Sequence, residues 1–309
     1  MRNFHFTTVV SSNYVYKFLA MQSSLDRCCA DYHLFALCVD QEAYSTLKRI
    51  PLRNLTLLNA ADFETGELLV AKNNRNNHEY CWTLKPFMLN YAVKNYKDTR
   101  YFAHIDADLY FFSDPIQIIN ENPEASLFIT DHNNSERFLF CYESAGIYNT
   151  GFVGCKNNEI AEAAVGWWYM KCLEKCSLVA NREEDIYGDQ KYIEKWPALF
   201  PGVHPVRTKG ANVAQWNIEG LYIHDREGMV FANNDPMIFY HFSGFSIIDR
   251  REYSLSTFYK IDTNPLNLIY RPYMRELYKQ IETAGKWVPE FKVGMIERKY
   301  IRNIHIERL

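Results

Sequence analysis

The 309-residue sequence has no surplus of either charge. Lysine and arginine number 34 against 37 aspartates and glutamates, a formal net charge of −3. A duplex nucleic-acid binder needs a clear basic excess, so no nucleic-acid partner is expected. The eight cysteines, at 28, 29, 38, 81, 141, 155, 172 and 176, form no Cys-x-x-Cys unit. They read as reduced, buried thiols of a cytoplasmic protein. No apolar run is long enough to cross a bilayer, and the longest, Ala163 to Met170, covers about two helical turns. The N-terminal stretch enters an apolar β-type segment without a signal-peptide h-region, so a cytoplasmic location, at most against the inner face of the membrane, is expected. Internal repeats, low-complexity tracts and linkers rich in Gly, Ser or Pro are also missing. One continuous domain over residues 1–250 with a C-terminal helical extension over 251–309 is the simplest organisation.

Apolar residues make up 48% and charged residues 23%, which excludes global disorder. The abundant class is aromatic, with 6 Trp, 22 Tyr and 20 Phe, or 16%. That content suits a thick core, and it suits equally walls that stack on sugar rings or bases. Composition does not choose between them.

Short apolar runs alternate with helical spacing through the first half of the chain. Phe4–Val10, Tyr32–Val39, Leu55–Leu58 and Tyr101–Ile105 read as strands. Helices are predicted over Tyr14–Cys28, with Ser11-Ser12-Asn13 able to cap it, and over Gln41–Arg49, Glu64–Asn74 and Tyr80–Tyr96. This alternation predicts an α/β fold, a Rossmann-like sheet with helices on both faces. Farther on, Ser126–Thr130 and Thr150–Lys156 read as strands, and Glu159–Cys176, Gly188–Trp196 and Pro265–Thr283 as helices. Short strands broken by Pro and Gly fill Phe200–Gly244.

The fourth strand runs into Asp106-Ala107-Asp108. A bare Asp-x-Asp arises by chance about once in a chain of this length. Here it ends a strand of an open α/β sheet, where ligand crevices form. Two hard oxygen donors there suit Mg²⁺ or Mn²⁺ held jointly with a substrate diphosphate. The plainer reading is a turn after a strand, with Asp106 or Asp108 capping Ser113 or a helix. His241, in Tyr240-His241-Phe242-Ser243-Gly244, comes after an apolar strand and ends at a glycine, so an imidazole can join the carboxylates and shift the preference towards Mn²⁺. Read alone, it is an ordinary strand-end histidine.

In these motifs and their order the chain resembles the GT-A glycosyltransferases that act on nucleotide sugars, and within them family 8, the glycogenin-like and lipopolysaccharide galactosyltransferase-like enzymes. The resemblance spans residues 4 to 245. It implies that the segment Thr8 to Tyr14, with Thr8, Val9, Asn13 and Tyr14, holds the base and ribose. It implies metal binding by Asp106 and Asp108 beside Ala107, with His241 of His-x-x-Gly, ending at Gly244, as the third ligand. Asn149-Thr150-Gly151 would line the donor sugar, and Asp189-Gln190 would sit beside the sugar being transferred. The family pattern continues to a Lys-Pro-Trp whose lysine touches the diphosphate, whereas this chain reads Phe245-Ser246-Ile247-Ile248. Arg75 and Lys85 lie where the family carries a donor-binding arginine, and Lys156 and Lys209 are further candidates. The resemblance implies transfer with retention, onto a glycan or lipid-linked acceptor in surface-glycan synthesis.

Other stretches offer weaker signals. Gly210 to Asn217, with Asn212 and Trp216, combines amides and an indole face and reads as donor or acceptor wall. Trp167-Trp168 sits at helical spacing and reads as core. Met295–Leu309 mixes basic residues with isoleucines and reads as an interfacial membrane helix, a solvated helix end or a dimer contact. Tyr14, Tyr110, Tyr148, Trp216 and Phe242 are the aromatics assigned to the crevice. Two rival functions stand beside transfer: an Asp-x-Asp phosphohydrolase, whose motif belongs on the first strand, and a non-catalytic sugar-binding module.

Overall fold

The computed structural model describes every residue except Met1, Arg182 and Asn303. Along the chain run β1 (Arg2–Val10), α1 (Val15–Cys28), β2 (Tyr32–Cys38), α2 (Gln41–Arg49), β3 (Leu55–Asn59), α3 (Gly66–Asn73) and α4 (Asn77–Asn95). Then come β4 (Thr99–Ile105), β5 (Leu109–Phe111), α5 (Ile116–Asn120), β6 (Leu127–Asp131), α6 (Cys141–Ala145), β7 (Tyr148–Lys156) and α7 (Glu159–Glu174). Two short helices, α8 (Gln190–Ile193) and α9 (Trp196–Leu199), precede β8 (Val203–Val206) and β9 (Val213–Ala214). The rest comprises β10 (Ile223–Arg226), β11 (Met229–Ala232), β12 (Asp235–Pro236), β13 (Phe239–His241), β14 (Ser246–Ile247), β15 (Glu252–Ser256), α10 (Thr263–Pro265), α11 (Arg271–Trp287) and β16 (His305–Arg308).

Seven strands form the central sheet in the order β3-β2-β1-β4-β7-β6-β8. Only β7 runs against its neighbours in that sheet. The pleat sends alternate residues to opposite faces. Phe4 and Phe6 join a large cluster that reaches Tyr273 and Leu277 of α11. Phe102 and Val153 face the other way, onto Leu89 of α4 and Trp168 of α7. Helices thus cover both faces, as the sequence pattern predicts. The expected core tryptophan is Trp168, fully buried and edge-on to Trp196 at 5.9 Å between ring centroids. Trp167 is only half-buried.

Two predicted helices take other forms. Gly188–Trp196 is broken into α8 and α9, because Pro197 lacks the N–H needed inside a helix and instead opens α9. Met295–Leu309 is not an interfacial helix. Among its described residues, a 3₁₀ turn over Arg298–Tyr300 leads into β16, which pairs antiparallel with β15. The alternation from Ile304 to Arg308 has the period of a strand, and that period prevails over the basic-apolar composition.

Candidate metal and donor site

From β1 the sheet grows to one side through β2 and β3 and to the other through β4. Ligand crevices open at such a reversal, outside the carboxyl ends of the strands. Asp106-Ala107-Asp108 occupies the step there between β4 and β5. The Asp106 N–H donates to the Gly151 carbonyl at 2.9 Å, which ties the step to β7. β5 pairs with β13 so that Leu109 lies opposite His241, and the Phe242 N–H donates to the Asp108 carbonyl at 2.9 Å. One oxygen of each carboxylate and one ring nitrogen of His241 consequently lie within 4.8 Å of one another. His241 Nε2 is 3.3 Å from Asp108 Oδ1 and 3.7 Å from Asp106 Oδ2.

The other nitrogen of His241 faces β7. Its Nδ1 lies 3.3 Å from Asn149 Oδ1, and the same oxygen accepts the Gly151 N–H at 2.9 Å. An oxygen already accepting a backbone N–H can only accept again, so Nδ1 carries a proton and donates. Nε2 is thereby turned towards the carboxylates. A Cβ at Gly151 would stand 2.7 Å from His241 Nδ1, so only glycine lets the ring lie there. The Trp216 ring meets His241 edge-on at 5.3 Å.

The electrostatics keep both carboxylates ionised. Burial alone would raise Asp106, but the Lys85 ammonium at 2.8 Å, His104 and His241 outweigh it and hold that carboxyl well below the usual range. Burial likewise opposes ionisation of Asp108, and His241 and Lys17 overcome it. Asp189 behaves differently. Burial raises it, with Lys85 and a hydrogen bond from Thr150 offsetting only part.

Two ionised carboxylates and an imidazole fit a divalent cation. The surroundings fit a polar ligand beside it. Thr8 Oγ1, Asp189 Oδ2, Asn212 Oδ1, Gln215 Oε1, Trp216 Nε1 and Tyr273 Oη are buried without a hydrogen-bond partner. Buried polar atoms are nearly always paired. These six lie on the elements that border the triad.

The remaining sequence-predicted residues divide into two groups. Tyr14 stands near the triad, and the Asp108 carboxylate followed by burial keeps its phenol protonated. Lys85, Asn149, Thr150, Gly151 and Asp189 are brought to the triad through the contacts above. Gly244 turns the chain after β13 with φ +77°, where a Cβ would meet Gln215 Nε2 at 2.6 Å. Asn212 adopts φ 56° and donates Nδ2 to the Asp131 carbonyl at 3.1 Å.

Others are engaged elsewhere. The Arg75 guanidinium is taken by the Thr83 hydroxyl and the Leu173 carbonyl. Lys209 Nζ donates to Asn133 Oδ1 at 2.8 Å and Lys156 Nζ to the Pro123 carbonyl at 3.2 Å. Gln190 Nε2 donates to the Ala145 carbonyl at 2.6 Å. Val9 packs on the cluster around Phe35, and Asn13 is exposed with its carbonyl beneath Gly294. Two aromatics assigned to the crevice belong to the core instead. Phe242 stacks on Tyr273 with centroids 3.7 Å apart, and the buried Tyr110 accepts a hydrogen bond from Arg27 Nη2 at 2.7 Å.

The sequence reading passed over three residues. His104 Nε2 donates to Asp106 Oδ1 at 3.1 Å, and its place two residues before Asp106 on one strand face was the available signal. Lys17 is buried one helical turn beyond Tyr14, a charge on an otherwise apolar helix face. Tyr273 lay far outside the motifs, and nothing local announced it.

No known protein-family profile matches the chain. "Uncharacterized protein YfnD" of Bacillus subtilis (strain 168) is 44% identical over 310 residues, covering 100% of both chains. "Uncharacterized protein YfnF" of the same organism is 29% identical over 293 residues, 93% of this chain and 95% of the relative. Among solved structures, an active-site glutamine-to-glutamate mutant of LgtC superposes with a TM-score of 0.54 at 10% identity, over 96% of this chain and 98% of the other. The galactosyltransferase LgtC in complex with donor and acceptor sugar analogs gives 0.53 at the same identity and coverage. The chain therefore belongs to one family with YfnD and is built on the fold of the GT-A glycosyltransferases.

Proposed function

We propose that this chain is a metal-dependent glycosyltransferase that moves a sugar from a nucleotide-diphosphate sugar to an acceptor hydroxyl. The observation that carries the reading is the convergence of Asp106, Asp108 and His241 at the switch point of a GT-A sheet. The mixed carboxylate and imidazole set favours Mn²⁺ over Mg²⁺. A cation bound there supplies Lewis-acid neutralisation of the charge left on the departing diphosphate.

The chain's own groups do the rest. Asn149 keeps the His241 proton on Nδ1, and Lys85 stands in the same pocket as a fixed positive charge. The segment from Thr8 to Tyr14 leaves β1 at the crevice, and within it the unpaired Thr8 hydroxyl and the Tyr14 ring receive base and ribose. Asn149, Thr150, Gly151 and the unpaired Asp189 Oδ2 face the transferred sugar. Gln190 follows Asp189 directly and, although its Nε2 is held by the Ala145 carbonyl, an active-site glutamine in LgtC supports assigning its Oε1 to the same neighbourhood. LgtC is a galactosyltransferase captured with donor and acceptor sugar analogs, which supports a hexosyl donor here. We read the transfer as retaining, by front-face attack, within residues 1–250, with the C-terminal segment supplying a wall through Tyr273. A glycan or lipid-linked acceptor in surface-glycan synthesis, met in the cytoplasm, completes the reading. No described helix is long and apolar enough to cross a membrane.

A panel of nucleotide sugars with Mn²⁺, scored by slow donor hydrolysis and by thermal shift, tests it. One donor should respond in the wild type, and Asp108→Ala should lose metal-dependent nucleotide binding. Unchanged binding in that variant would sink the proposal. Phosphomonoester cleavage without sugar transfer would favour a phosphohydrolase, and silence across the panel a sugar-binding module.

A further inference from the structure

Lys17 is the cation at this site that the contacts above leave unassigned. Its side chain projects from α1 with Nζ 4.6 Å from the centroid of the Tyr14 ring, and the residue is only 7% exposed. Among the described residues it forms no ion pair, whereas Lys85 is held 2.8 Å from Asp106. A largely buried lysine whose nearby anion is Asp108 loses that balance once a cation takes Asp108, so a further anion is favoured there. The charged neighbour it senses is Asp108.

The charge pattern narrows the anion. A divalent cation balances Asp106 and Asp108, and the ammoniums of Lys85 and Lys17 then remain for the ligand. That surplus, even after the charge of Asp189 is subtracted, calls for an anion close to the cation, a diphosphate rather than a neutral sugar. A second donor lies on the side of Asp108 and Tyr14. Tyr273 Oη is fully buried and unpaired, its ring is stacked on Phe242 beside His241, and burial and then Asp108 keep it protonated. The other basic residues considered, Arg75, Lys156 and Lys209, are engaged away from the triad.

We infer that Lys17 is a phosphate-binding residue that makes the site prefer nucleoside diphosphates over monophosphates. The inference rests on the donor reading above and gives its missing phosphate contact to a residue of α1. On this reading α1, not the segment after Gly244, carries the positive group on the Asp108 side of the cation.

Calorimetry on the full chain tests this with nucleoside diphosphates and the matching monophosphates, each with Mn²⁺. The wild type should bind one diphosphate more tightly than its monophosphate. Lys17→Met should weaken the diphosphate about tenfold or more, the worth of a charge-assisted hydrogen bond, and the monophosphate less than about threefold. Lys17→Arg should regain part of the preference. Should Lys17→Met lack native circular dichroism, Lys17→Gln carries the same comparison. Wild-type diphosphate affinity in the uncharged variant overturns the role of Lys17 while the donor reading stands. Equal loss for both ligands also overturns it, because Lys17 would then shape the pocket without reading the second phosphate. If the wild type binds no nucleotide with Mn²⁺, the donor reading fails, and this inference fails with it.

Discussion

Asn149 Oδ1 stands 3.3 Å from His241 Nδ1, joining residues 92 positions apart, and that oxygen also accepts the Gly151 N–H. The motif Asn149-Thr150-Gly151 is thus a support for the imidazole, whatever it offers a sugar. Groups that orient a ligating histidine change metal affinity about 10- to 100-fold when removed. Gly151→Ala, whose Cβ would press on Nδ1, and Asn149→Leu, which removes the acceptor, should each weaken Mn²⁺ binding by that range. Titration calorimetry with native circular dichroism as control is the check, and undiminished Mn²⁺ affinity in both would count against the support role.

Lys85 neutralises Asp106 inside the fold. Lys85→Met leaves that carboxylate buried without its nearest cation, at a cost of about 3–5 kcal/mol. A bound divalent cation supplies the missing charge. The variant's melting temperature should therefore fall in chelator and recover more on adding Mn²⁺ than the wild type's does. A melt that is insensitive to both substitution and metal would contradict this pairing.

Trp168 fills the layer between β7 and α8 and donates Nε1 to the Asp189 carbonyl at 2.9 Å. Trp168→Phe removes that bond and should cost about 1–2 kcal/mol, seen in urea unfolding. Trp168→Ala adds a cavity and should cost about 3–5 kcal/mol. The smaller change isolates the hold on Asp189, so it should also weaken donor binding.

Alkaline stability depends on the thiols. Burial pushes Cys38 and Cys155 up to about 12 from an ordinary value of 9.0. Below pH 9 both states keep these protons and nothing is lost. Between about 9 and 12 the unfolded chain releases them while the fold retains them, so stability falls as pH rises. Each thiol contributes a slope of at most about 1.4 kcal/mol per pH unit. Denaturant midpoints at pH 8 and pH 10.5 under reducing conditions should differ, and replacing Cys38 and Cys155 with alanine should reduce the difference, with Cys29 and Cys81 carrying part of the remainder.

The sequence showed the sheet well where period and composition agreed. β1 to β4 and the helices between them are legible in alternating apolar runs, and Asp106 and Asp108 in their place at a strand end. Lys17 and His104 needed only attention to which helix or strand face they share with a named motif residue. Tyr273 was beyond local reading, since its approach to Asp108 depends on α11 packing across Phe242. β16 was misread because basic and apolar residues mix on surface helices and edge strands alike, and only pairing with β15 decides.

The β5–β13 pairing also sets a timetable. A growing chain displays Asp106 and Asp108 early, yet no imidazole can complete the set until residue 241 has emerged and β13 has found β5 across the intervening chain. Contacts of such sequence separation cost loop-closure entropy before they stabilise anything. The cation site therefore cannot be complete on a chain synthesised short of residue 241.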